Sequence, residues 1–415
     1  MRFFYTFFIQ FYSLGIRVAA LFNHKASLWV MGRKDWKNKL SLINFSTKKV
    51  YWFHCASVGE FEQARPIIET FKKQNEIAIL LSFYSPSGYE LRKNYSYADW
   101  VIYLPIDTPS NAGYLIQHVK PRAVFFIKYE FWFNYLHQLK LRHIPVFLIS
   151  GIFRPNHYFF KWYGLWMKNQ LSAFTHFFVQ NNESKELLSN IGYQQVTISG
   201  DTRFDRVLEI KNQLKTFKNV DAFVQNSKVL VAGSTYHNDE IIIRKAFSEF
   251  IKESENIKLI IAPHEVSTHR INEVLNTFGV HDSVRYSQLD NNFNNKKILI
   301  IDNIGMLSSL YGYAHFAYIG GGFDKGIHNI LEAAVFEIPL LIGPRNDKFQ
   351  EAKDLLSQQG AFLVQHESDI LEFLRLFVSD IQKSTEAGKH CIDYVNNKKG
   401  AVSIIIQYMK QHEII

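Results

Sequence analysis

The chain has 415 residues, 47% of them apolar and 20% charged, which suits two packed domains and excludes a disordered protein. Its two cysteines, Cys55 and Cys391, exclude a disulfide framework and a cysteine-built zinc site. The net charge is +9, yet nine Lys and Arg stand against Asp35 alone in the first 50 residues, so the rest is nearly neutral. A nucleic-acid groove recruits basic residues from several parts of a chain, so no nucleic-acid partner is expected.

The first predicted element is a helix over residues 3–22, too interrupted for the ~20 apolar residues that a transmembrane span needs. Thr6, Gln10, Ser13 and Arg17 share one helical stripe, and Phe4, Phe7, Phe8, Phe11 and Leu14 occupy the other face. Such a helix can lie in the bilayer interface, with the cations after it drawn to anionic lipids on the cytoplasmic face of the inner membrane. A helix packed on the protein's own core remains an alternative. So does a signal peptide, although no small-residue cleavage site follows and the basic tract opposes export.

From residue 49 onward, apolar β-rich runs alternate with amphipathic stretches. Predicted strands are Lys49–Cys55, Ile77–Ser82, Val101–Leu104, Ala123–Lys128, Val146–Ser150, Phe177–Gln180 and Val196–Ser199. A polar stretch, 206–225, reads as a linker. Alternation then resumes with Val229–Ala232, Leu259–Ala262, Ile298–Ile301, Phe316–Ile319 and Leu340–Ile342. This predicts an α/β chain of two doubly wound parallel-sheet domains facing a central cleft. The expected layout is an anchor helix at 1–30, domains at 31–205 and 226–395, and a terminal helix at 396–415 packed toward the first domain.

Several constellations sit where strands end. Ser57 and Glu60 have capping-box spacing, which alone explains both, yet Glu60 is also a carboxylate placed to take a proton from a hydroxyl. Gly320, Gly321 and Gly322, followed by a helix expected near Asn329, offer backbone amides to a phosphate, with Glu332 one turn on. Their spacing is not that of a dinucleotide fingerprint. Gly233-Ser234-Thr235 reads as a helix cap. His264-Glu265 and His269 are one residue too far apart for a zinc protease pair, so no metal is expected. Glu130 and Arg203 end apolar strands and read equally as loop charges.

In their order, these segments resemble the Kdo transferases (3-deoxy-D-manno-octulosonic acid transferases) of lipopolysaccharide assembly. The matching stretches are Ser57–Glu60 with Ala64-Arg65-Pro66, Tyr103-Leu104-Pro105 with Asp107, Glu130-Phe131-Trp132 with Asn134, and Gly200 through Phe204-Asp205. They continue with Gly233-Ser234-Thr235, Gly320-Gly321, Gly326, His328-Asn329, Leu331-Glu332 and Gly343-Pro344. The resemblance implies a two-domain GT-B fold and inverting transfer of Kdo from CMP-Kdo to a lipid A precursor, without a cofactor or bound metal. It makes Glu60 the general base and gives Glu130 and Arg203 to transition-state stabilisation. His264, Glu265, Ile304, Gly305, Met306, Asn329, Ile330, Leu331 and Glu332 align with segments that hold CMP.

There are departures from the family pattern. Its Arg-His reads His264-Glu265, its Gly-Glu reads Gly305-Met306, its Lys before Phe-Asp is Arg203, and its Glu-Thr-Glu-Leu-Trp reads Lys128 through Trp132. Two other readings therefore stay open. One is a nucleotide-sugar enzyme with another donor, such as a UDP-sugar transferase or epimerase. The other is a non-catalytic membrane-surface binding protein on the same scaffold.

Overall fold

The computed structural model describes residues 1–74, 76–289 and 295–415. They form two compact units, one of Met1–Arg206 with Lys399–Ile415 and one of Val207–Lys398.

The first unit holds strands β1 (Lys49–Cys55), β2 (Ile77–Phe83), β3 (Trp100–Tyr103), β4 (Ala123–Ile127), β5 (Val146–Gly151), β6 (His176–Val179) and β7 (Val196–Ile198). All pair in parallel, in the order β3-β2-β1-β4-β5-β6-β7. Parallel strands are covered on both faces, which is why β1 and β4 read as unbroken apolar runs. The two-residue strand period divides them. Val50 and Trp52 join one core, while Tyr51, Phe53 and Cys55 join the other. Helix Ala401–Gln411 adds Ile405 and Met409 to that second core, so the chain's last segment completes the first unit.

The second unit repeats the plan with β8 (Lys228–Thr235), β9 (Ile257–Pro263), β10 (Ser283–Arg285), β11 (Ile298–Ile300), β12 (Phe316–Ile319), β13 (Leu340–Ile342) and β14 (Ala361–Leu363). Its order is β10-β11-β9-β8-β12-β13-β14. The sequence does not announce β10 and β14, because three-residue edge strands carry too little apolar periodicity. Residues 206–225, read as a linker, hold the end of helix Arg203–Asn212 and helix Lys218–Val224.

Helix Arg2–Ala19 turns part of its polar stripe inward, Thr6 to Asn134 and Ser13 into the core, and leaves Gln10 and Arg17 exposed. Arg2 donates to Asn134 Oδ1 at 3.0 Å, Tyr5 to Asp107 Oδ2 at 2.7 Å, and Ser13 is buried. Its phenylalanines face outward, with Phe4 at 70% and Phe8 at 68% exposure. Among the described residues, no helix is long and apolar enough to cross a membrane.

Candidate active site

In an open parallel sheet, ligands bind beyond the strands' carboxyl ends, where neighbouring connections leave in opposite directions. In the first unit that point lies between β1 and β4. His54 and Cys55 end β1 and helix Val58–Phe71 follows, while Glu130 lies just beyond β4. The helix runs through Pro66 without a break.

A chain of hydrogen bonds crosses the sheet here. Trp52 Nε1 donates to Ser82 Oγ at 2.7 Å, and Ser82 Oγ lies 2.8 Å from His54 Nδ1. With the serine hydroxyl donating to Nδ1, the imidazole carries its proton on Nε2, which faces Glu130 Oε2 at 3.2 Å. Trp132 Nε1 donates to the same oxygen at 2.5 Å. His54 is wholly buried and Glu130 is 9% exposed, so two donors fix the carboxylate in a largely dry setting.

Glu60 plays two parts. Its Oε2 accepts from the amides of Ala56 and Ser57, the latter at 3.2 Å, completing the capping box with Ser57. Its Oε1 has no hydrogen-bond partner among the described residues. Burial raises the Glu60 carboxyl most and the Glu130 charge raises it further; the two amides and Lys128 pull it back, leaving it at about 8. A carboxyl so placed can accept a proton near neutral pH.

Arg203 opens helix Arg203–Asn212 and is gripped by Asp201, with its Nε 2.9 Å from Oδ2. Burial alone would raise Asp201, but the Arg203 charge and hydrogen bonds outweigh it and hold the carboxyl below its ordinary value. Gln63, one turn after Glu60, donates to Asp201 Oδ1 at 3.0 Å, and Thr202 donates to the Gln63 carbonyl at 2.6 Å. Burial raises Tyr129, next to Glu130, against the opposing pull of the Arg154 and Arg203 charges. The three residues assigned catalytic roles by resemblance thus gather at one end of one sheet.

The second unit has its matching point between β8 and β12. Its glycines serve the fold more than a phosphate. A Cβ on Gly320 would lie 2.3 Å from the Ser234 carbonyl oxygen, so only glycine lets the ends of β8 and β12 approach. The Gly320 amide donates to Gly233 and the Gly321 amide to the buried carboxylate of Asp239 at 2.8 Å. The expected amide cradle is therefore spent internally at those two positions. The expected helix near Asn329 is a single turn, Leu331–Ala334, at whose start Asn329 accepts from the Leu331 amide and donates to Glu332.

Among the residues aligned with CMP segments, Ile330 and Leu331 are wholly buried and Met306 is 7% exposed, so their side chains belong to the core. A ligand can meet only their backbone. Ile304 is exposed, and Gly305 turns the chain with φ +95°. Tyr311 links the segments. Burial raises its hydroxyl, the Glu332 charge adds to this, and a Cβ on Gly233 would lie 2.1 Å from it. His264, beside the exposed Glu265, stacks on His328 at 4.4 Å, and Tyr236 lies 5.6 Å from His328 with planes 19° apart. Burial lowers both imidazoles, His328 to about 4 with His264 adding to the effect. Neutral stacked rings of this kind suit a planar base. Among the described residues, no three His, Cys, Asp or Glu side chains gather as a metal site requires.

Residue-by-residue reading missed His54, Ser82, Trp132, Lys128 and Asp201. A histidine at the end of an otherwise apolar strand was the available signal for the first.

Residues 34–206 match the family model of the 3-deoxy-D-manno-octulosonic-acid transferases, or Kdo transferases. The 3-deoxy-D-manno-octulosonic acid transferase of Aquifex aeolicus is 28% identical over 336 residues, spanning 80% of this chain and 87% of its own. That of Haemophilus influenzae is 25% identical over 379 residues, spanning 87% and 86%. The solved UDP-GlcNAc 2-epimerase from Neisseria meningitidis, bound to UDP-GlcNAc, matches with a TM-score of 0.62, covering 88% of this chain and 100% of its own. At 17% identity that likeness is one of fold, the two-unit GT-B-like architecture. The ordered segments, the family model over residues 34–206 and these relatives all liken the chain to the Kdo transferases, and the likeness supports a role in Kdo glycosyl transfer during lipopolysaccharide biosynthesis.

Proposed function

We propose that the protein transfers Kdo from CMP-Kdo to a lipid A precursor, with inversion at the transferred sugar. Glu60 Oε1 takes the proton of the acceptor hydroxyl, the freed oxygen pair attacks the anomeric carbon, and the bond to phosphate breaks so that CMP leaves with its electrons. Arg203 offsets negative charge that develops in the transition state, and Glu130, held by His54 and Trp132, keeps the Glu60 carboxyl basic. CMP is held in the second unit by the faces of His264 and His328, by Asn329 and Glu332, and by backbone near Ile304 and Gly305. No metal takes part. The outward phenylalanines of the first helix rest the protein on the cytoplasmic surface of the inner membrane, where its acceptor lies.

The observation that carries this reading is Glu60, with one oxygen spent on the helix cap and the other open. Its test is incubation with CMP-Kdo, made in situ, and tetraacylated lipid A precursor, read by mass spectrometry. A product heavier by one or more Kdo units is expected. An unchanged acceptor, together with binding of UDP in place of CMP, would overturn the donor assignment and favour a UDP-sugar enzyme; binding of neither nucleotide would favour the non-catalytic alternative.

A further inference from the structure

The carboxylate of Asp201 meets four donors, and three of them belong to Arg203. Oδ1 accepts from the Arg203 amide at 2.9 Å and from Gln63 Nε2 at 3.0 Å. Oδ2 takes Arg203 Nε at 2.9 Å and Nη2 at 2.8 Å. A carboxylate has roughly four lone-pair sites, so Asp201 keeps none for a substrate. It is 5% exposed, and its carboxyl stays below the ordinary value, so the pair is charged at neutral pH.

This grip is planar and anchored from behind. A guanidinium's donors lie in one plane, so contact through both Nε and Nη2 fixes that plane and leaves Nη1 on the edge turned from Asp201. Gln63 is 1% exposed and stands one turn after Glu60 on helix Val58–Phe71. Its side chain holds Asp201, and its carbonyl accepts from Thr202 Oγ1 at 2.6 Å. Ser150 Oγ, wholly buried, lies 3.2 Å from the same hydroxyl. Two buried hydrogen bonds thus tie the segment that carries Arg203 to the helix that carries Glu60. The Arg203 side chain itself is 23% exposed, so a long, rotamer-rich group reaches toward open space from a fixed root.

We infer that Asp201 is a positioning residue for the transfer reaction, holding the Arg203 guanidinium in one plane beside the helix of Glu60 so that its charge is in place before the transition state forms. A cation already oriented needs no reorganisation as negative charge develops, which is where such a group lowers a barrier most. Capping alone does not call for this arrangement. The Oδ1 bond to the Arg203 amide caps the helix, and the Nε and Nη2 contacts add nothing to that task. The inference rests on the proposed part of Arg203 in Kdo transfer. The grip can also be read without turnover, which separates the two.

Asp201→Asn keeps an oxygen for the Arg203 amide and removes the charge that Nε and Nη2 meet. In the full-length protein its kcat for Kdo transfer should fall ~10-fold, with KM for CMP-Kdo near wild type. Arg203→Ala should lose ~10²-fold and regain ~10-fold in millimolar guanidinium, because Asp201 seats the free ion; methylammonium, a point charge, should not replace it. That rescue should vanish when Arg203→Ala is combined with Asp201→Asn. Arginine Nε–H signals in proton–nitrogen NMR give a readout independent of transfer. The signal missing from Arg203→Lys should be protected from solvent exchange in wild type and unprotected in Asp201→Asn. Wild-type kcat in Asp201→Asn, equal guanidinium rescue in the double variant, or equal protection of that signal overturns the proposal. A wild type that transfers no Kdo overturns the proposed function, and the Nε–H signal still decides the grip.

Discussion

Both units are seven-stranded parallel sheets, with different strand orders, and they differ in what they place at the reversal point. Between β1 and β4 the first unit collects ionisable side chains, Glu60, Glu130, His54 and Arg203, each oriented by a neighbour. Between β8 and β12 the second unit collects glycine backbone, stacked rings and one buried aspartate that consumes a glycine amide. In the proposed function, one end moves a proton and opposes charge, and the other presents flat faces and main chain. Similar strand-end motifs therefore meet different fates. The Ser57–Glu60 cap leaves a carboxylate oxygen over for chemistry, while the glycine turn has its first two amides already taken.

The largest effect that would break this contrast is Glu60→Gln. Glutamine is an accepted capping-box partner but cannot take the proton. Transfer should fall by ~10²–10⁴-fold, with thermal stability and CMP binding near wild type. Retained turnover, measured as Kdo incorporated, would reduce Glu60 to a cap. In the second unit, Gly320→Ala forces a methyl to within 2.3 Å of the Ser234 carbonyl oxygen. It should destabilise the protein by ~1–3 kcal/mol in denaturant unfolding and weaken CMP binding. A neutral outcome would mean that the strand ends are not as closely packed as described.

The smallest effect separates the carboxyls by sign. Glu60 has a raised value, so its contribution to stability is present at low pH and is lost as pH rises from the ordinary carboxylate range through about 8. Asp201 has a lowered value, so its contribution is present above the ordinary range and is lost as pH falls through its lowered value. Unfolding free energies measured from pH 5 to 9 should decline less steeply in Glu60→Gln than in wild type. Equal slopes would remove Glu60 from the account of alkaline stability.

Much of this was legible in the sequence, and the limits have physical reasons. β1, β12 and β13 run over the residues expected, because buried parallel strands are continuous apolar runs bounded by polar turns. The polar stripe of the first helix was also plain, but not that Arg2 and Thr6 meet Asn134 and Tyr5 meets Asp107, since those partners lie more than a hundred residues away. The same holds for the path from Trp52 through Ser82 and His54 to Glu130 and Trp132, drawn from β1, β2 and the turn after β4. Each member alone reads as a core or loop residue. Ile330 and Leu331 show the reverse, since alignment with a binding segment gave no sign that their side chains are wholly buried.

The central claim is that one open oxygen of a buried carboxylate, kept basic by burial and by Glu130, takes the acceptor's proton. The pH dependence of kcat/KM for Kdo transfer, followed in wild type and on the residual activity of Glu60→Gln, tests it most directly. The account predicts a rate that climbs with pH and levels off near 8 in wild type, as Glu60 loses its proton, and no such limb in the variant. The same limb in Glu60→Gln, or a flat wild-type profile across that range, would contradict it.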